Sequence, residues 1–161
     1  MKKWTNLRSG NDLVAFWQEY RNETEKGRVI LGVAFLEELT EELLMKCLIT
    51  DNKTQCQLER LHLRNKIQMC FFAGLISKKE KEDLLTIANI RNLYAHRTDL
   101  DSKELKNNLD SLSSLKVLKQ KKPFLFKQEL NEVDVAIYFA YVRLFSRIAK
   151  GHAYEMPKDT Y

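Results

Sequence analysis

The segment Ile87-Ala88-Asn89-Ile90-Arg91-Asn92-Leu93-Tyr94-Ala95-His96-Arg97 sets Asn89, Arg91, Asn92 and His96 among apolar neighbours. Packing alone does not ask for such residues, and an unpaired buried polar group costs roughly 2–7 kcal/mol. They therefore form either a satisfied polar seam or a site. As a site, the chemistry is cleavage of a phosphate ester. Arg91 would hold phosphate oxygens through its planar fork. His96 titrates near neutrality and would move the proton of a ribose 2′-hydroxyl. Asn92 would orient one of the two. Arg91, Asn92 and His96 are the candidate catalytic residues, and this chemistry needs neither metal nor cofactor. As a seam, Asn92 and His96 satisfy neighbouring backbone or carboxylates, and Arg91 pairs with a glutamate such as Glu37 or Glu41.

Helical geometry constrains the first reading. Asn89, Asn92 and His96 lie at i, i+3 and i+7 and share a face, whereas Arg91 and His96 stand about 140° apart on an ideal helix. They converge only if the helix unwinds near His96 or if a two-fold partner brings a second copy alongside.

Other chemistries find little support. His62, His96 and His152 are far apart, no HExxH or zinc-spaced Cys/His pair occurs, and no Gly-rich phosphate loop is present. No metal or cofactor is expected. Lys119, Lys121 and Lys122 form a basic loop before Pro123 and are candidate nucleic-acid contacts. Ala73-Gly74-Leu75-Ile76-Ser77 has the shape of a helix-turn-helix corner. However, Glu80, Glu82 and Asp83 would meet phosphates at the head of its second helix, so a helical hairpin of the core is the better account.

The elements that must position these residues read as helices throughout. The chain has 161 residues with only 5 Gly and 2 Pro, 44% hydrophobic and 30% charged, which suits one domain with long helices. Leu13, Phe16, Trp17 and Tyr20 define a first helix from the Ser9–Asp12 caps to about Lys26, broken at Gly27. A second, central helix spans about 28–49, with Glu37, Glu38, Glu41 and Glu42 as a solvated side. The segment 50–57 reads as a loop, and 58–73 as a third helix ended by Gly74. Ser77 and Glu80 form a capping box that opens the fourth helix, the one carrying Arg91 and His96. A fifth covers about 103–118, Phe124-Leu125-Phe126 is a strand or a buried anchor, and the last helix runs over 130–150. The expectation is an all-α, single-domain bundle of five to six helices over 1–151, with a flexible tail at 152–161.

The totals set outer limits. A net charge of +5 and a pI near 9.0 permit an acidic partner without demanding one. Three cysteines without a CxxC pair, and no apolar leader after Met1, fit reduced thiols in a cytoplasmic protein. The longest apolar run, Val29 to Leu36, falls well short of the roughly 20 residues that cross a bilayer.

Two patterns resemble known families. Arg91-Asn92-Leu93-Tyr94-Ala95-His96 has the form R-N-x-x-x-H and resembles the Rx4–6H motif of HEPN domains. These are small all-α, usually dimeric domains, many of them RNases of toxin and phage-defence systems. Asn22-Glu23-Thr24-Glu25-Lys26-Gly27, then Ala34-Phe35-Leu36-Glu37-Glu38-Leu39 and Glu42-Leu43-Leu44, resemble the E-S-D-R-G…A-x-L-D-E-x-L-E-x-L-L signature of the mannitol operon repressor (MltR) family. Lys66-Ile67, Ala73-Gly74-Leu75-Ile76 and the R-N-x-x-x-H hexamer continue the similarity in order, so that it covers residues 12–100. Thr24-Glu25-Lys26 stands where the family has Ser-Asp-Arg.

The resemblance implies an all-helical negative regulator without an evident DNA-binding motif. The expected function is an MltR-like cytoplasmic regulator, transcription-associated and acting mainly through protein contacts, as a homodimer. A regulatory protein partner or an antitoxin fits that picture. The first alternative is a HEPN-type, metal-independent endoribonuclease acting on RNA through Arg91 and His96. The second is a repressor that binds DNA directly through Lys119, Lys121 and Lys122, less favoured because such contacts weaken steeply with salt.

Overall fold

A computed structural model describes residues 10–47, 52–96, 103–121 and 131–150. These residues form helices α1 (Gly10–Asn22), α2 (Glu25–Cys47), α3 (Asn52–Glu59), α4 (Leu63–Phe72), α5 (Lys78–His96), α6 (Lys103–Ser111), α7 (Ser113–Lys121) and α8 (Glu132–Lys150). The all-α expectation holds, and no strand occurs among the described residues. The proposed tail, Lys122 and Phe124-Leu125-Phe126 lie outside the described residues.

The described residues form eight helices where five or six were expected for the chain, because the backbone turns at places its apolar periodicity does not mark. The first break falls at Glu23-Thr24, ahead of Gly27. Thr24 caps α2 by accepting the Gly27 amide on its hydroxyl at 3.1 Å, so the glycine sits inside the first helical turn. The 50–57 segment, expected as a loop, contributes most of α3. The Arg60 and Leu61 amides reach back to the Gln57 and Leu58 carbonyls at 3.2 and 3.1 Å and close that helix. His62, in an extended conformation, then restarts the chain as the N-cap of α4. The expected fifth helix splits at the fully buried Leu112. Beyond it, the Asp83 carboxylate of α5 accepts the amides of Ser113 and Ser114 at 2.8 and 2.9 Å. A side chain distant in sequence thus caps α7.

The turn between α4 and α5 follows the sequence closely. Gly74, at φ +69°, lets its amide reach the Phe71 carbonyl and the Leu75 amide reach that of Cys70, at 3.0 and 2.8 Å. This is a Schellman ending, which favours glycine at that one position. Ser77 and Glu80 then exchange the two bonds of a capping box, at 2.7 and 3.2 Å. Ile76 is fully buried, so the corner is a core hairpin.

α2 is the central helix, as its near-continuous apolar surface suggests, and it contacts α1, α3, α4, α5 and α8. Its most extensive packing is against α8, and Gly32 lies in that contact. A Cβ at this position would lie 2.8 Å from Ile137 Cγ2 and 3.1 Å from Tyr20 Cε2, below van der Waals contact. Around it, Phe16 stacks on Phe35 with centroids 4.1 Å apart, and Phe35 on Tyr141 at 5.5 Å. Burial, and then the neighbouring Tyr138, push the Tyr141 phenol up to about 12. On the other flank Glu80, buried at the head of α5, accepts Arg143 Nη1 at 3.3 Å and Arg147 Nη2 at 2.7 Å. That charge-assisted pairing clamps α5 to α8.

Candidate functional site

α5 buries Leu84, Ile87, Ile90 and Tyr94 and leaves Asn89, Arg91, Asn92 and His96 exposed. The four polar residues are therefore solvent-facing. Arg91 Nη1 donates to Asn92 Oδ1 at 3.1 Å. The helix continues unbroken through His96, so unwinding before the histidine does not bring it to Arg91. Within one chain the two side chains stay on different sides of α5.

Glu37 and Glu41, the carboxylates that could have paired with Arg91, are engaged elsewhere. Lys66 of α4, only 3% exposed, lies 2.8 Å from Glu41 Oε2 and 3.1 Å from Glu37 Oε1. Burial alone would lower the Lys66 pKa, but hydrogen bonds to Glu41 and Glu37 and their charges outweigh it and leave it raised. The α2 glutamates are thus not a uniformly solvated side: Glu41 is buried.

Arg91 and Asn92 instead line a cleft of about 420 Å³ between α2, the start of α4 and α5. Asn89, His62 and Arg64 share its wall, and Ile30, Val33, Ala34, Leu85 and Ala88 supply apolar lining. His96 is not part of it. The histidine in the same cleft as Arg91 is His62, which sequence reasoning passed over as an isolated residue. Its only local signal is its place two residues before Arg64, where α4 begins.

The two segments that carry the family resemblances meet in space. Tyr94, inside the R-N-x-x-x-H hexamer, donates its hydroxyl to Glu25 of the N-E-T-E-K-G segment at 2.7 Å. Glu25 also accepts Asn131 Nδ2 at 2.9 Å. Next to it, Asp134 of α8 is 1% exposed and lies 3.2 Å from Arg28 Nη2. Asp134 also accepts Arg28 Nε at 3.2 Å and the Tyr20 hydroxyl at 2.7 Å. Asn131 and Asp134 complete an N-cap for α8 through bonds of 2.8 and 3.3 Å. Burial, and then the Asp134 charge, hold the Tyr20 phenol far above the usual tyrosine range. Burial and the hydrogen bond to Glu25 do the same to Tyr94. One polar network thus ties α1, α2, α5 and α8 together and fixes the end of α5 that carries Arg91.

The basic segment is placed differently from the expected loop, because 119–121 is the last turn of α7. Lys119 Nζ lies 2.6 Å from Glu132 Oε1, which offsets its charge. Lys122 lies outside the described residues, and nothing brings Lys119 towards the cleft. Cys56 is exposed and Cys70 is buried, where its Sγ lies 3.6 Å from the Thr40 carbonyl. Among the described residues no cluster of His, Cys, Asp and Glu could hold a metal ion, and no helix is long and apolar enough to cross a membrane. Compared with known protein families, curated proteins and solved structures, the chain finds no match.

Proposed function

We propose that the chain is an MltR-like, HEPN-related helical domain that acts in the cytoplasm as a negative regulator, through protein contacts and as a homodimer. The family part of this reading rests on the sequence resemblance, and the observation that supports the homodimer is the outer face of α8. Tyr138, Val142, Phe145 and Ala149 are all exposed, at i, i+4, i+7 and i+11. That alternating four-and-three spacing is the seam a second helix packs against. Arg143 and Arg147 turn away from it to Glu80, so the seam carries no charge, and a two-fold axis would lay one α8 on another. Light scattering at micromolar concentration is expected to give twice the 19.0 kDa chain mass, falling to a single chain in Val142→Asp/Phe145→Asp. A wild-type mass of one chain would overturn the dimer. A mobility shift at physiological salt with operator DNA from the neighbouring genes would favour direct DNA binding instead.

A second reading, a metal-independent endoribonuclease, draws support from the exposure of both Arg91 and His96. Since α5 keeps them apart within one chain, Arg91 of one copy would work with His96 of the other. Incubation with total RNA in EDTA is the test. Wild type should leave 2′,3′-cyclic phosphate ends, and Arg91→Ala and His96→Ala should leave the RNA intact. Intact RNA with wild type at high protein concentration would sink this reading.

A further inference from the structure

The cleft between α2, α4 and α5 has an unbalanced charge. Arg64 has no ion pair or hydrogen-bond partner among the described residues, and Arg91 has only the neutral Asn92 amide. The one carboxylate in the wall, Glu37, is held by Lys66 at 3.1 Å. Lys66 is shared with Glu41 at 2.8 Å, so these three side chains keep one net negative charge, which the two guanidinium groups on the cleft wall outweigh. α4 also begins there without a side-chain cap on its first amides, and the partial positive charge of a helix start adds to the same field. Val33, Leu85 and Ala88 give the same cleft apolar lining. A volume of about 420 Å³ lies within the range of small-ligand pockets, roughly 300–1,000 Å³.

We propose that this cleft binds a small organic phosphate monoester, its phosphate held between Arg64 and Arg91 and its carbon body laid on the apolar lining. A phosphate monoester carries nearly two charges near neutrality, which two planar forks can match with paired hydrogen bonds. Inorganic phosphate would leave the lining wet and forgo the burial of apolar surface. A nucleic-acid strand needs a basic track along its length, whereas this cleft offers two cations at one place. The inference goes beyond the regulatory and nuclease readings: it shares Arg91 with the nuclease reading but uses Arg64 and not His96, so a loss of binding in Arg64→Gln bears on it alone.

Titration calorimetry with phenyl phosphate, inorganic phosphate and phenol tests it on wild type, Arg64→Gln and Arg91→Gln. Both arginines are exposed, and unchanged melting temperatures would show that the variants keep the fold. Phenyl phosphate is expected to bind once per chain, more tightly than inorganic phosphate, with phenol silent. Each variant should weaken it by about tenfold or more, the usual consequence of losing a charged hydrogen-bond donor. Phenyl phosphate binding no tighter than inorganic phosphate, or affinity retained in both variants, would overturn the proposal. So would a short oligouridylate that displaces phenyl phosphate and binds far more tightly, because the occupant would then be an RNA strand.

Discussion

Asp134→Ala is expected to lower the unfolding free energy by about 3–5 kcal/mol, the usual cost of removing one partner from a buried charge pair. Asp134 is 1% exposed, and Arg28, at 20%, recovers only part of its hydration. The same substitution strands the Tyr20 hydroxyl, whose acceptor it is at 2.7 Å. It also removes half of the Asn131–Asp134 cap on α8, worth about 1 kcal/mol by itself. Against a total stability of about 5–15 kcal/mol for a domain of this kind, most of the margin would go. Asp134→Asn keeps one acceptor oxygen and should cost roughly half as much, since it exchanges charged hydrogen bonds for neutral ones. Urea unfolding followed by circular dichroism reads both variants. An Asp134→Ala midpoint within error of wild type would show that the network contributes nothing net.

Asp134 also marks where sequence reasoning reaches its limit. The capping box at Ser77 and Glu80 and the glycine ending at Gly74 were legible because their partners lie within a few residues, where spacing alone fixes the geometry. The centrality of α2 was legible from an apolar surface covering most of its circumference. The break at Leu112 was not legible, because the carboxylate that caps α7 is Asp83, about thirty residues earlier. The break before α2 was attributed to Gly27 because glycine is the stronger local punctuation, yet Thr24 supplies the bond that starts the helix. Local signals find turns that are made locally and miss those imposed by tertiary contacts.

The candidate site shows the same division. Helical arithmetic correctly separated Arg91 from His96, because an angle about a helix axis needs no tertiary information. It could not say which groups from other helices face Arg91. A pairing with Glu37 or Glu41 was reasonable on charge alone, and Lys66 pre-empts it from α4. His62 and Arg64 join Arg91 only because the α4–α5 hairpin folds back on α2. Nor does the resemblance of the 22–27 segment to a family signature reveal its local task, which is to cap α2 and to hold Tyr94 through Glu25.

Lys66→Ala carries the other large expected effect, a loss of about 3–5 kcal/mol, because it leaves Glu41 buried without its cation. The Glu41 side chain is 9% exposed, whereas Glu37, at 37%, can turn to water, so the cost falls mainly on Glu41. The double variant Lys66→Met/Glu41→Leu isolates the cause. Apolar side chains of similar volume need no partner, and such replacements of buried ion pairs are often neutral or stabilising. The double variant should therefore recover most of the loss, leaving a coupling energy that a double-mutant cycle reads directly. The pH dependence supplies a second signature. The Lys66 pKa is raised on folding from an ordinary 10.5, so the folded chain retains a proton that the unfolded chain gives up. Its contribution is complete below that ordinary value and is lost as the pH climbs through the folded one. Wild-type stability should fall in this alkaline window, and the Lys66→Met/Glu41→Leu chain should fall less steeply. Equal alkaline slopes in the two proteins, or a Lys66→Ala variant as stable as wild type, would remove the buried ion pair from the account of what holds α4 to α2.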